Sequence, residues 1–239
     1  MQTSFEYVSA FFIASGFLCG FIMLADIFNN RPQKIKTMNS VWFLTGIWAS
    51  WIGLYVYFKI GRANKIKNDD EDSGQTGGGN KIVPARTNAA GHSFLPATLQ
   101  YGAGCVLANT AAESLTVFYP VALPEQWILD YILALVFSVG FQYAAIRPAK
   151  TTDMPGKTIR KAFKNCFPVT TAWQAGVFAY SALIFFGFHD MIEKNSWNFW
   201  FMMQLAMFCG CLTAYPVKGL LIKTYKSDKG ERPLKHYSN

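Results

Sequence analysis

Charge is what this chain has least of. Asp, Glu, Lys and Arg make up 15% of its 239 residues, against roughly 25% in average soluble domains. The charges fall in short stretches separated by runs of about twenty residues with almost none. A soluble protein spreads charge over its surface, whereas hydrocarbon excludes it at ~2.5 kcal/mol or more per residue. A cysteine framework is missing too. Cys19, Cys105, Cys166, Cys209 and Cys211 include no C-x-x-C pair, and four of the five lie in apolar segments, which excludes a disulfide scaffold and a structural zinc site. No P-loop, nucleophile elbow, H-E-x-x-H or dinucleotide fingerprint occurs. Of the function classes weighed here, a membrane enzyme is the least supported.

The net charge of +8 invites a nucleic-acid reading. The basic residues, however, sit in loops that flank apolar spans, so the expected partners are the lipid bilayer and anionic headgroups at a basic cytoplasmic face, not nucleic acid. The start, Met1 to Glu6, has no basic region before its apolar run and no small-x-small site after it, so the first span is expected to be retained.

What is present is hydrophobic length. A helix crosses hydrocarbon with ~20 apolar residues at about 1.5 Å rise each. Six segments qualify: Tyr7–Ile27, Val41–Phe58, one within Leu95–Tyr119, Trp127–Ile146, Phe167–Phe188 and Trp197–Leu221. The fold class is therefore an all-α polytopic membrane bundle of about six transmembrane helices. Its organisation reads as a first hairpin (1–60), a flexible polar Gly-rich loop (61–92), a four-helix region (93–222) and a basic tail (223–239). Six straight crossings put 18 of the 22 Lys and Arg on one side and 4 on the other, so both termini are expected in the cytoplasm. Pro168 is expected at the start of span five, where its missing N–H costs nothing.

The polar residues inside spans are the candidate site. Glu113 lies seven residues before Pro120 and Asp130 six after Pro124. A short turn between them makes two antiparallel helices, with both carboxylates ~10 Å inside the outer boundary. An intramembrane carboxylate is a functional-site hypothesis by default, although a Glu hydrogen-bonded between helices serves structure equally well. Asp26 is expected at the outer end of span one. Tyr101, Cys105, Asn109 and Glu113 recur every four residues as a polar stripe, on a helix whose small residues suit a central position. The candidate ion-binding residues are Glu113, Asp130, Asn109 and Cys105. Met203 and Met207 share a helix face, and with Cys105 they offer thioether and thiol ligands of the kind that select copper(I). Methionine is also ordinary packing material. Gly16-x-x-x-Gly20 and Ala49-x-x-x-Gly53 are helix-contact patterns.

Several stretches together carry a resemblance: Leu24-Ala25-Asp26-Ile27-Phe28 with Arg31-Pro32-Gln33, Met38-Asn39-Ser40-Val41-Trp42, Gly53 to Phe58, Leu129-Asp130-Tyr131 with Phe141-Gln142-Tyr143, and Trp200 to Gln204 with Tyr215-Pro216-Val217. In these the chain resembles the domain-of-unknown-function 4396 family of polytopic membrane proteins. The resemblance brings no established activity. It implies a third span beginning His-Cys-Gly-Ala-Gly-Cys and continuing through Gly-Asp to a Glu. Here Gln100, Tyr101 and Asn109 stand where the His, a Cys and the Asp would be, while Cys105 and Glu113 remain. Two readings follow: a small permease or cation-binding protein with an outward-facing site at Glu113, Asp130, Met203 and Met207, or a non-transporting scaffold or assembly factor whose polar groups only join helices. A water-accessible cavity beside Glu113 favours the first; a dry bundle with every polar group paired favours the second.

Overall fold

The computed structural model describes residues 2–29, 37–62, 94–146, 155–188 and 196–228. The expected polar loop after residue 62 and the last part of the basic tail lie outside them. Six α-helices follow in order: α1 (Gln2–Phe28), α2 (Thr37–Val56) running into a π-helical turn (Tyr57–Gly61), α3 (Phe94–Phe118), α4 (Leu123–Ile146), α5 (Pro155–Phe188) and α6 (Trp197–Asp228). Among the described residues there is no strand. By length and composition, five segments are apolar enough to cross a membrane: α1, α2 with its π turn, α4, α5 and α6. The helix outside that set, α3, carries the polar stripe and lies centrally, packed against α2, α4, α5 and α6. Large apolar side chains such as Phe11, Phe21, Ile128, Val136 and Leu212 point outward, as they must where lipid is the solvent.

Contacts between helices fix which ends lie together. Ser9 donates to Asn198, so the starts of α1 and α6 share one end, called upper here. The α3–α4 turn and the end of α5 lie there too, since Gln126 bonds Glu113 and Tyr180 bonds Met202. Lys218, late in α6, meets Tyr101, early in α3, at the lower end.

The second helix departs from the expected straight crossing. Ser50 has φ 46° and ψ −126°, a backbone turn inside α2. The Trp42 and Tyr57 rings lie 5.4 Å apart, although fifteen residues of straight helix would separate them by about 22 Å. A Cβ at Gly53 would stand 2.9 Å from the Thr45 carbonyl, and one at Gly61 would enter the Trp42 ring. The segment enters from the lower end, turns at Ser50 and returns to the lower end. Among the described residues, the start of α1 and the end of α6 consequently stand at opposite ends of the bundle, where six straight crossings would put them at one end.

The same fold-back relocates Asp26. It sits at the lower end, far from Glu113, and accepts from Arg62 at 3.0 and 2.6 Å and from Tyr57 at 2.9 Å. The hydrogen bonds to Asp26 hold the Arg62 guanidinium above its ordinary pKa. Gly16 and Gly20 do serve helix contact: their faces meet the backbone of Ile47 and Phe43, and Gly46 lies against Gly20. Ala49 and Gly53 pack across the Ser50 turn, so that pattern joins the two halves of one hairpin. Pro168 lies well inside α5, which begins at Pro155 and runs 34 residues. A basic first stretch, with Lys157, Arg160 and Lys161 exposed, extends the helix ahead of the apolar span.

The fold-back is open to a direct check. Gly53→Ala, whose Cβ would stand 2.9 Å from the Thr45 carbonyl, should lower the melting temperature of the purified protein. In a straight helix the same change would raise it, because Ala is favoured over Gly in a helix by about 1 kcal/mol.

Candidate functional site

The upper half of the bundle is hollow. A cavity of about 350 Å³ opens between α3, α4, α5 and α6, next to the Val121 turn. Glu113 of α3 and Asp130 of α4 both line it, 6% and 4% exposed. The short α3–α4 turn brings them together as helical arithmetic expects. Gln126, one turn before Asp130, donates its side-chain amide to Glu113 Oε1, which fixes the Glu113 carboxylate at the wall. Met203 also lines the cavity.

The sequence reading missed the rest of the lining. Trp127, Tyr180, Phe185 and Phe199 supply aromatic walls. Trp127 stacks on Phe178 with centroids 5.3 Å apart, and Tyr180 donates to the Met202 sulfur at 3.2 Å. The period of α4 could have found Gln126 and Trp127, which stand one turn before Asp130 and flank it on the same face. The contribution of α5 left no such signal, since Tyr180 sits in an apolar run with no charge nearby.

Below the cavity the polar stripe continues, but dry and paired. Asn109 is fully buried and exchanges two hydrogen bonds with Gln174 of α5, at 3.2 and 2.9 Å. The Met207 sulfur lies 3.9 Å from the Asn109 amide, so Met207 packs beneath the cavity while Met203 lines it. One turn lower, Cys105 faces α4, with its sulfur 3.7 Å from the Ser138 hydroxyl. Lower still, the Lys218 ammonium meets the Tyr101 hydroxyl at 3.1 Å and lies 4.5 Å from the ring centroid. Gln100 bonds Gln142. The stripe thus ties α3 to α4, α5 and α6 in turn. Among the expected site residues, the structure brings Glu113, Asp130 and Met203 to one cavity, with Met207 and Asn109 directly below. Cys105 is directed elsewhere. No group of three or more His, Cys, Asp or Glu arranged for a metal ion occurs among the described residues.

The layer directly beneath the cavity is the Asn109–Gln174 pair with Met207. Deeper, at the level of Gly102 and Gly210, the Trp173 ring leaves no room for a Cβ at either glycine and packs edge-on against Trp48, which in turn packs on Phe208.

Among the described residues the bundle is all-helical, and five of its helices are long and apolar enough to cross a membrane, which places it in the class of polytopic membrane helix bundles. The family model described as "Domain of unknown function (DUF4396)" matches residues 92–227, which cover α3 to α6. The chain belongs to that family. The match includes the whole cavity and the polar stripe, and leaves α1 and the folded-back α2 outside. No curated protein matches the chain, and no solved structure does.

The dry half yields a stability prediction. Asn109→Ala leaves Gln174 buried without its partner and should cost about 1 to 2 kcal/mol, read by thermal or denaturant unfolding in detergent. The double variant Asn109→Ala with Gln174→Ala should cost less than the sum of the single changes.

Proposed function

We propose that the chain is a small permease or cation-binding membrane protein whose site is the Glu113–Asp130 cavity, open to the outside. The observation that carries this reading is two carboxylates on the wall of one cavity of about 350 Å³ at one end of the bundle. Removing a carboxylate from water is costly, so a site of this kind draws positive charge. The rival scaffold reading fits the lower half, where Gln100, Tyr101 and Asn109 each have a partner on another helix. It gives no account of a hollow upper half.

Orientation follows from the folded-back helix. With α2 returning to the lower end, 21 of the 22 Lys and Arg belong to that end and only Lys194 to the upper one. This asymmetry is sharper than the 18-to-4 division of six straight crossings. Since cytoplasmic segments hold the excess of Lys and Arg, the lower end is cytoplasmic. The start of α1 and the cavity mouth then face outward. The basic start of α5 and the region beyond Lys218 would meet anionic headgroups, worth roughly 1 kcal/mol per basic residue near the surface.

A copper(I) site built from Met203, Met207 and Cys105 would require the Cys105 thiol to turn away from Ser138. The carboxylates at the cavity are the better-placed groups for a cation.

Two measurements test this reading. In intact cells, an impermeant thiol reagent should label Ser4→Cys and Val121→Cys and spare Gly77→Cys. Labelling of Gly77 with protection of Val121 would invert the orientation, and protection of Ser4 would restore a straight second span. For the site, a panel of alkali, divalent and organic cations should include members that raise the melting temperature of the purified protein in a dose-dependent way. Glu113→Gln with Asp130→Asn should lose that response. If no cation stabilises the wild type, the cavity is not a cation site.

A further inference from the structure

Resting on the reading of the cavity as a cation site, we infer that its ligand is a small organic ammonium ion with an apolar body, and not a bare metal ion. The first ground is size. A cavity of about 350 Å³ falls in the ~300–1,000 Å³ range of small-molecule sites, far above what one coordinated ion fills. The second is the donor set. The lining contains Glu113 and Asp130 but no His or Cys. One of its two thioethers, Met202, already accepts from Tyr180. The remaining oxygen groups of the lining are the Gln126 amide and the Tyr180 and Ser181 hydroxyls. The Gln126 amide and the Tyr180 hydroxyl are already engaged as donors, which leaves few oxygens to complete the roughly six that calcium takes and no nitrogen or thiolate for zinc.

The third ground is the arrangement of the walls. Phe185 lies three residues before the end of α5 and Phe199 two after the start of α6, so these rings stand near the mouth. Trp127 comes next, four residues into α4, and Tyr180, eight residues before the end of α5, stands about level with Asp130, seven residues into α4. An ammonium head seated at Glu113 and Asp130 places its body among these aromatic rings. Ring faces attract cations, by about 2 kcal/mol or more where water is excluded, and apolar walls reward the body. A metal ion would leave those rings without a role. The Asn109–Gln174 pair closes such a site from below.

Benzyltrimethylammonium is a suitable probe, because its quaternary head cannot hydrogen-bond and its ring matches the walls. Full-length protein in detergent should bind it saturably by equilibrium dialysis. Glu113→Gln and Asp130→Asn, which preserve shape, should each weaken binding tenfold or more, and Trp127→Leu severalfold. Tetramethylammonium, a head without a body, should bind at least tenfold more weakly. Equal binding by wild type and the Glu113→Gln, Asp130→Asn double variant would mean the probe only partitions into detergent, and would overturn the inference. Suppose instead that sodium, zinc or copper(I) stabilises the protein in a Glu113-dependent way while benzyltrimethylammonium does not bind. The organic class is then wrong and the cation site stands. If no cation binds, both fall.

Discussion

A helix interrupted at membrane depth strands backbone carbonyls where no water can reach them, and much of this bundle is arranged around one such interruption. The turn at Ser50 ends the hydrogen-bond ladder of the first half of α2. The Ile47 carbonyl, which a continuous helix would bond to residue 51, accepts instead from the Gln204 side chain of α6 at 2.9 Å. The Ser50 hydroxyl pairs with Ser15 of α1 at 2.8 Å. Gly16 lets α1 come close enough to bury that carbonyl. Non-helical backbone is tolerated inside a membrane only where protein or a water-filled cavity surrounds it, and here α1 and α6 do the surrounding. The break therefore dictates three neighbours: a glycine on α1, a serine on α1 and a glutamine on α6.

Gln204 also joins that turn to the cavity. Its neighbour Met203 lines the hollow upper half, while Gln204 itself holds the Ile47 carbonyl of the folded-back helix. Directly below, Phe208 and Trp173 both contact Trp48, two residues before the turn. A shift of α6 that reshaped the cavity wall would pull on the clamp at Ile47 and on the aromatic rings around Trp48 together. Trp173 thus packs the lower part of the bundle, where glycines of α3 and α6 admit its ring and Trp48 of α2 meets it.

Much of this was legible in the sequence, because hydrocarbon imposes a simple rule. Apolar runs and turn residues located all six helices, and the short Pro120–Pro124 turn placed Glu113 beside Asp130. The four-residue period of Tyr101, Cys105, Asn109 and Glu113 marked α3 as the inner helix. The path of α2 was hidden for a physical reason. Its 25 residues through the π turn are evenly apolar, and the residue at the break is a serine, with neither the glycine nor the proline that usually marks such a turn. One trace was nonetheless present: Gly46, Ala49, Ser50 and Gly53 cluster small residues at mid-segment, as close approach requires. Hydropathy measures how much apolar chain is available and carries no information about whether it continues or doubles back.

The altered third-span motif can now be weighed by position. The three departures implied by the family resemblance, Gln100, Tyr101 and Asn109, all fall below the cavity, and each meets a polar partner on another helix: Gln142, Lys218 and Gln174. Glu113, which keeps the residue type the resemblance implies, is the one member of the stripe on the cavity wall. An ion ligand loses its purpose when its neighbours change, whereas an interhelical hydrogen bond requires only that some donor meet some acceptor. Amide, phenol and ammonium groups meet that looser demand in the lower half. The stripe thus divides within a single helix, between Asn109, which is paired with Gln174 beneath the cavity, and Glu113, which lines it.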